Sequence, residues 1–311
     1  MAYSPDPARI PAPVAGSARQ TIASGNVLGV AAMMTWAAGF PAAEVLLQNW
    51  PPLTIITARL ILALAALYPL WLLVEGPGKI IGANWPKALM IGGFGFGLGT
   101  YLLLVAQAYT DPVTVALVAS CAPLIGAILE VRAGTRRLNK QFAFGVVASI
   151  IGGIIATSGL APVQLGIGAF CAILATTLFT WASMKTVQAF PDLGPVGRST
   201  ITFTGALVMA ATLLAGSAVL GFEVTPRVAF DLEQFGMLAI YAVVAMSVSQ
   251  VMFIGAVDKL GVAVATFHIN TAPFYVMVIM VLLGSSWDWM QAIGAAIVGL
   301  GVVAAQLQPR N

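Results

Sequence analysis

Within one strongly apolar stretch near the C-terminus, His268, Thr271 and Tyr275 recur at i, i+3 and i+7, with Asn270 beside them. This spacing puts the first three on one helical face. Side chains of these types bind a solute reversibly through hydrogen bonds. They do not form a nucleophile–base set, a carboxylate pair or a metal-ligand cluster, the groupings that covalent chemistry requires. His268 is the single histidine of the chain and the one deep group expected to titrate near neutral pH. Two readings fit it: a hydrogen bond to a neighbouring helix, or contact with a solute or proton. Asn270 and Thr271 serve equally as solute ligands or as polar glue between helices.

A second set is aromatic. Trp36 and Phe40 stand one helical turn apart, as do Thr177 and Trp181. Tryptophan concentrates at membrane–water interfaces, yet both tryptophans fall inside their apolar segments. They are expected as cavity walls that stack on an apolar or aromatic group, with plain packing as the rival reading. Tyr101, Ser247 and Gln250 are expected as polar lining, and Ser120 joins them. Pro273 removes an amide and frees the carbonyl of Ile269, and Pro41 and Pro123 act likewise near Ala37 and Ala119. Freed carbonyls accept from a solute ammonium or from a nearby hydroxyl. Glu44, two turns after Trp36, is expected to form an outer gate pair with Arg59. Glu130 and Lys185 lie near segment ends, where snorkelling suffices.

The chain that must position these residues has 311 residues, 59% of them hydrophobic and 8% charged, and a mean hydropathy of +0.95. Soluble domains carry about 25% charged residues. Too few charges are present to clothe a water-facing surface, so lipid is the solvent for most of the outside. Backbone inside a bilayer satisfies its own hydrogen bonds, which leaves helices or closed barrels. The apolar stretches run about 20 residues without alternation, so they are helices. The expectation is an all-α integral membrane protein with ten transmembrane helices, at 25–47, 53–74, 87–107, 113–131, 141–159, 164–187, 196–219, 236–257, 262–284 and 288–306. Residues 1–24 are polar and proline-bearing and read as a cytoplasmic tail. The segment 221–235 is too polar to span. Cys121 and Cys171 fall in apolar segments without metal-ligand spacing, and no metal or cofactor is expected. Basic and aromatic residues are not interleaved, which argues against nucleic acid as a partner.

The placement of positive charge orients the chain. With the N-terminus inside, the cytoplasmic segments and helix ends hold Arg9, Arg19, Lys79, Lys87, Arg132, Arg136, Arg137, Lys140, Lys185, Arg198, Lys259 and Arg310. The opposite side holds Arg227, and Arg59 lies within the second span. One missed or extra helix would scramble this bias, so N-in and C-in follow with ten spans. An internal repeat is also visible. AQAYTDPVTVALVASCAPLIGAILEVRAG at 106–134 aligns with AVDKLGVAVATFHINTAPFYVMVIMVLLG at 256–284, pairing Pro123 with Pro273, Ser120 with Asn270 and Gly134 with Gly284. Two similar halves of five spans each, residues 25–159 and 164–306, must sit inverted in the membrane. Inverted halves can exchange conformations around a central site, the architecture of alternating access.

The string WAAGFPAAEVLLQNWPPLTIITARLILALAAL, Trp36 to Leu67, resembles the opening of the EamA-like branch of the drug/metabolite transporter (DMT) superfamily. The segment AQAYTDPVTVALVASCAP and the glycine-bearing fifth and tenth spans share the resemblance. It implies a multi-pass carrier of the bacterial inner membrane, not an enzyme, built from two inverted five-helix units with the solute cavity at their interface. Overall likeness points further to the YddG-type exporters of aromatic and other neutral amino acids, functional as a monomer. Other solutes of the superfamily, such as drug cations or sugar nucleotides, with or without proton coupling, form the alternative. No carboxylate falls at the middle of a span, which argues against antiport of drug cations. Facilitated export without obligatory ion coupling is the expectation.

Overall fold

The computed structural model describes residues 15–134, 162–227 and 231–306, with a few isolated positions between 144 and 155. Among the described residues, eight helices are long and apolar enough to cross a membrane. They are α1 (Gln20–Leu47), α2 (Pro52–Glu75), α3 (Trp85–Tyr109), α4 (Thr114–Arg132), α5 (Gly166–Ala189), α6 (Pro195–Val219), α7 (Leu232–Leu260) and α8 (Val262–Leu282). A further apolar helix, α9 (Trp289–Gln306), occupies the expected tenth span. The expected fifth span, 141–159, lies almost wholly outside the described residues, so α5 corresponds to the sixth expected span. The helix that contains α1 begins at Ala15, inside the stretch read from sequence as a tail. Residues 15–24 contain no proline, and nothing local stops the helix from extending.

Local chemistry sets the boundaries. Pro52 occupies the first turn of α2, where its missing N–H costs nothing, and Gly76 ends the helix at φ 81°. Asp111 caps the turn into α4 by accepting from the Thr114 amide at 2.9 Å, and it also accepts from the Thr114 hydroxyl. Asp231 caps α7 through the Gln234 amide at 2.8 Å. Gly134 and Gly284, paired by the sequence repeat, both close their helices at positive φ.

Five helices are distorted, and the distortions recur at related positions. α1 breaks at Ala38, just before Pro41. α4 breaks at Ser120 and Cys121, before Pro123, and α8 tightens into a 3₁₀ turn over Thr266–Thr271, before Pro273. α3 carries a π-helical stretch at Ile91–Gly97, and α7 carries one at Ile240–Val248.

The helices pair in a pattern that mirrors itself. α1 packs along α7 and α3 along α5, while α2 meets α6 and α4 meets α8. Small residues allow the closest approaches. A Cβ on Gly92 of α3 would lie 1.8 Å from the Thr202 carbonyl oxygen of α6. Trp71, Phe96, Phe253 and many aliphatic side chains are buried between helices, whereas Leu73, Val219 and Leu282 are exposed, as expected where lipid is the solvent.

Candidate functional site

A central cavity opens where α1 to α8 converge. Every one of these helices contributes lining: Met33 and Trp36 from α1, Arg59 from α2, Phe96 and Thr100 from α3, Ala119 from α4, Thr176 and Phe179 from α5, Phe203 from α6, Ser249, Gln250 and Phe253 from α7, and Ile269 from α8. Its empty volume is ≈ 710 Å³ including the part open to solvent, within the range of about 300–1,000 Å³ typical of small-molecule sites. A smaller recess of ≈ 260 Å³ adjoins it, sharing Trp36, Arg59 and Leu103 and adding Phe40, Gln107 and Tyr241.

The walls are mainly apolar and include five aromatic side chains. Phe96 meets Phe179 and Phe203 edge-on, with centroids 5.5 Å and 5.8 Å apart, and Phe179 lies 5.4 Å from Phe253. Trp36 and Phe40 form an edge-to-face pair at 4.9 Å, as their one-turn spacing anticipates. Two hydroxyls of the lining are engaged with backbone. Thr176 donates to the Ala172 carbonyl at 2.7 Å, and Ser249 donates across to the Ala32 carbonyl at 2.9 Å.

Two cavity groups lack partners. The Nε of Arg59 and the amide nitrogen of Gln250 are buried and donate to nothing, although each side chain borders open space. Arg59 is 5% exposed. Its guanidinium carbon stands 3.7 Å above the centre of the Tyr241 ring. Among the described residues no carboxylate is ion-paired with it. The gate pair expected between Glu44 and Arg59 is therefore not formed. Glu44 lies within electrostatic reach of Asp111 instead.

Of the other residues singled out from sequence, Trp36 and Gln250 line the central cavity and Phe40 lines the recess. Tyr101, Ser120, Thr177, Trp181, Ser247, His268, Asn270, Thr271 and Tyr275 line neither. Trp181 packs against the largest apolar core. His268 lies against α1 so closely that a Cβ on Gly29 would fall 1.8 Å from its ring. Thr271 donates to the His268 carbonyl at 2.7 Å, Ser247 to the Ala242 carbonyl at 3.0 Å, Ser120 to the Ala116 carbonyl at 3.1 Å and Thr177 to the Ile173 carbonyl at 2.8 Å. These are local bonds within or between turns, and Ser247 also reaches across to the Ala63 carbonyl of α2 at 3.4 Å. The side-chain nitrogen and oxygen of Asn270 are buried without partners. Pro123 and Pro273 stand beside the breaks in α4 and α8, and the Ile269 carbonyl freed by Pro273 is taken by the Ala272 amide. The Phe40 carbonyl beside Pro41 accepts from Gln107 at 2.8 Å.

Sequence reasoning missed Phe96, Thr100, Thr176, Phe179, Phe203 and Ser249 as lining residues. It also gave Arg59, inside the second span, a gate role with Glu44, when the side chain lines the cavity. An arginine inside an apolar span was the available signal, because buried charge there is rarely without use. Glu130, read as a snorkelling residue, accepts from the Ala263 amide at 3.1 Å and so caps α8. Glu75 does the same for α6, accepting from the Gly197 and Gly194 amides at 2.8 Å and 3.1 Å.

Comparison with known proteins bears on the chain in two ways. Residues 23–158 match the model of the EamA-like transporter family. Among 26 matching solved chains, one described only as a crystal structure of a protein aligns with a TM-score of 0.71 at 17% identity, over 93% of this chain and 99% of its own. At that identity the likeness is one of fold. No curated protein matches the chain. The chain is a multi-pass helical membrane protein whose first half is similar to an EamA-like transporter domain and whose helices share the fold of a solved structure.

Proposed function

We propose that this chain is an alternating-access carrier that exports neutral amino acids, aromatic ones included, and related small metabolites across the bacterial inner membrane. The observation that carries the reading is the central cavity itself: a mainly apolar, aromatic-bearing space to which every helix from α1 to α8 contributes. A cavity shared by two halves can be exposed to either side as the halves rock against each other.

The reading includes ten spans, the fifth of them the one expected at 141–159 and lying almost wholly outside the described residues, arranged as two inverted five-helix repeats with both termini inside. Three observations support the repeat. The π-helical stretches at Ile91–Gly97 and Ile240–Val248 lie about 150 residues apart, the offset of the sequence repeat. Gly134 and Gly284 end their helices alike. The pairing of α1 with α7 mirrors that of α5 with α3. The two halves lie in one chain, so a monomer suffices. Trp36, Phe40 and Gln250 are the sequence-derived candidates that the reading keeps as solute contacts. Arg59 joins them. The one Lys or Arg among the described lining residues faces no lining carboxylate, which disfavours a drug cation as solute.

Counterflow tests the reading. Proteoliposomes preloaded with unlabelled phenylalanine, methionine or threonine receive external labelled phenylalanine with no ion gradient. Transient accumulation is expected. Folded protein that accumulates nothing above empty liposomes overturns the amino-acid reading. Uptake that requires an imposed proton gradient overturns the uncoupled mechanism.

A further inference from the structure

Arg59 is buried in the second span, stacked on Tyr241, and its Nε has no acceptor. A guanidinium stays charged at any working pH, and charge within a membrane span is costly unless it is paired or used. The same chain shows an arginine that is fully paired. Arg198, equally buried, donates to the Phe190 carbonyl at 2.9 Å, the Pro191 carbonyl at 3.3 Å and the Asp258 carboxylate at 2.7 Å. Arg59 has no such set. One face of its guanidinium is covered by the Tyr241 ring, and the side chain borders both the cavity and the recess. Gln250, from the other half of the chain, brings a second unpartnered donor to the same cavity.

We propose that Arg59 is the docking point for a solute carboxylate, and that the cavity takes monocarboxylates bearing an apolar or aromatic body. The inference rests on the carrier reading above and narrows its solute. A carboxylate is an acceptor-only group that matches the planar fork of a guanidinium and has lone pairs to spare for a nearby amide. One positive charge lines the described cavity, so one negative charge balances it. A phosphate monoester, carrying nearly two, is left half-neutralised. Beyond the donors the mainly apolar walls include Trp36, Phe96, Phe179, Phe203 and Phe253, which suit an aromatic or branched body. A carboxylate that engages Arg59 and Gln250 touches both halves at once and couples solute binding to their relative movement.

Paired acids and amides test this: phenylalanine against phenylalaninamide, and phenylacetate against phenylacetamide, by ligand-induced thermal shift on the purified full chain. The acid of at least one pair is expected to stabilise the wild type at a concentration at least tenfold below that needed by its amide. Arg59→Gln is expected to abolish the preference, and Arg59→Lys to keep it with weaker binding. Arg227→Gln, which removes an exposed charge outside the cavity lining, is the control and should leave it unchanged. Without solute, Arg59→Gln gives up the Tyr241 stacking but also removes a buried charge that has no carboxylate partner among the described residues. The two effects offset, so its melting temperature should stay close to that of the wild type, whereas a structural arginine would lose stability. Amides that stabilise as well as acids, or an acid preference that survives in Arg59→Gln, overturn the proposal. The wild-type comparison stands even if that variant misfolds. Phenylalanine versus phenylacetate separates amino acids from simple aromatic acids as the source of the carboxylate. Acids that bind through Arg59 without counterflow overturn the carrier reading and leave the docking site. Counterflow unchanged by Arg59→Gln overturns the docking site and leaves the carrier.

Discussion

The guanidinium carbon of Arg59 lies 3.7 Å from the centre of the Tyr241 ring, joining α2 to α7 inside the membrane-spanning region. A desolvated cation–π contact is worth about 2 kcal/mol. In a double-mutant cycle, Arg59→Gln and Tyr241→Leu should couple by roughly 1–2 kcal/mol. Reversible unfolding of the four proteins in detergent measures it, and strictly additive effects would show that the stacking carries no energy.

Arg198 should behave in the opposite way to Arg59. It ties the Phe190–Pro191 turn and Asp258 together, so Arg198→Gln removes three bonds from a buried site. Such losses cost about 3 kcal/mol. Asp258 is 45% exposed at its side chain, and water partly replaces it, so Asp258→Asn should cost only about 1 kcal/mol. Melting temperatures of the two variants check the ranking.

Two adjacent glycines of α3 should respond differently to alanine. A methyl on Gly92 meets the Thr202 carbonyl at 1.8 Å, while one on Gly93 finds its nearest neighbour at 3.4 Å. Gly92→Ala must push α3 away from α6, at a cost of about 3 kcal/mol. Gly93→Ala gains helix propensity of up to about 1 kcal/mol and should be neutral or stabilising. Chemical denaturation of both variants tests the pair.

The two inward tryptophans should separate into different roles. Trp36 lines the cavity and Trp181 packs in the core. Trp36→Ala is expected to weaken labelled-phenylalanine exchange at least tenfold. Trp181→Ala should cost about 3 kcal/mol of stability with solute affinity retained in the folded fraction. His268→Ala should likewise spare affinity, since the ring packs on Gly29 rather than in the cavity. Affinity and melting temperature, measured on the same samples, distinguish the classes.

Outside the membrane, the Arg227 guanidinium hydrogen-bonds Glu223 at 2.9 Å and 3.0 Å and holds its carboxyl below the usual range. A depressed folded-state pKa stabilises the loop above the unfolded value, and the stabilisation is lost as pH falls through the depressed one. Both side chains are exposed, so the effect should be small and screened by salt. Amide protection factors in residues 221–227, corrected for the intrinsic pH dependence of exchange, should fall on acidification in wild type. In Glu223→Gln that acid-dependent fall should be absent.

The sequence by itself determined that the chain crosses membranes and where most of its helices lie. Hydropathy and segment length are local quantities, and the expected 53–74 and 196–219 became Pro52–Glu75 and Pro195–Val219. The proline-linked breaks were legible for the same reason. Which side chains meet in the cavity was decided by the tertiary structure. The rotation of each helix about its axis is set by its neighbours, and one residue of error turns a side chain by about 100°. Thr176 faces the cavity where Thr177 was expected, and Thr100 where Tyr101 was expected. In α3 and α7 the π-helical stretches widen the turn and move every later residue off the regular 3.6 period. That is why Ser249 lines the space while Ser247 bonds its own helix and the Ala63 carbonyl of α2. The sequence placed Arg59 inside a span. Only the packing of α7 set its guanidinium on Tyr241 and left it facing the cavity without a carboxylate among the described residues, because a long side chain takes its partner from whatever the fold brings near.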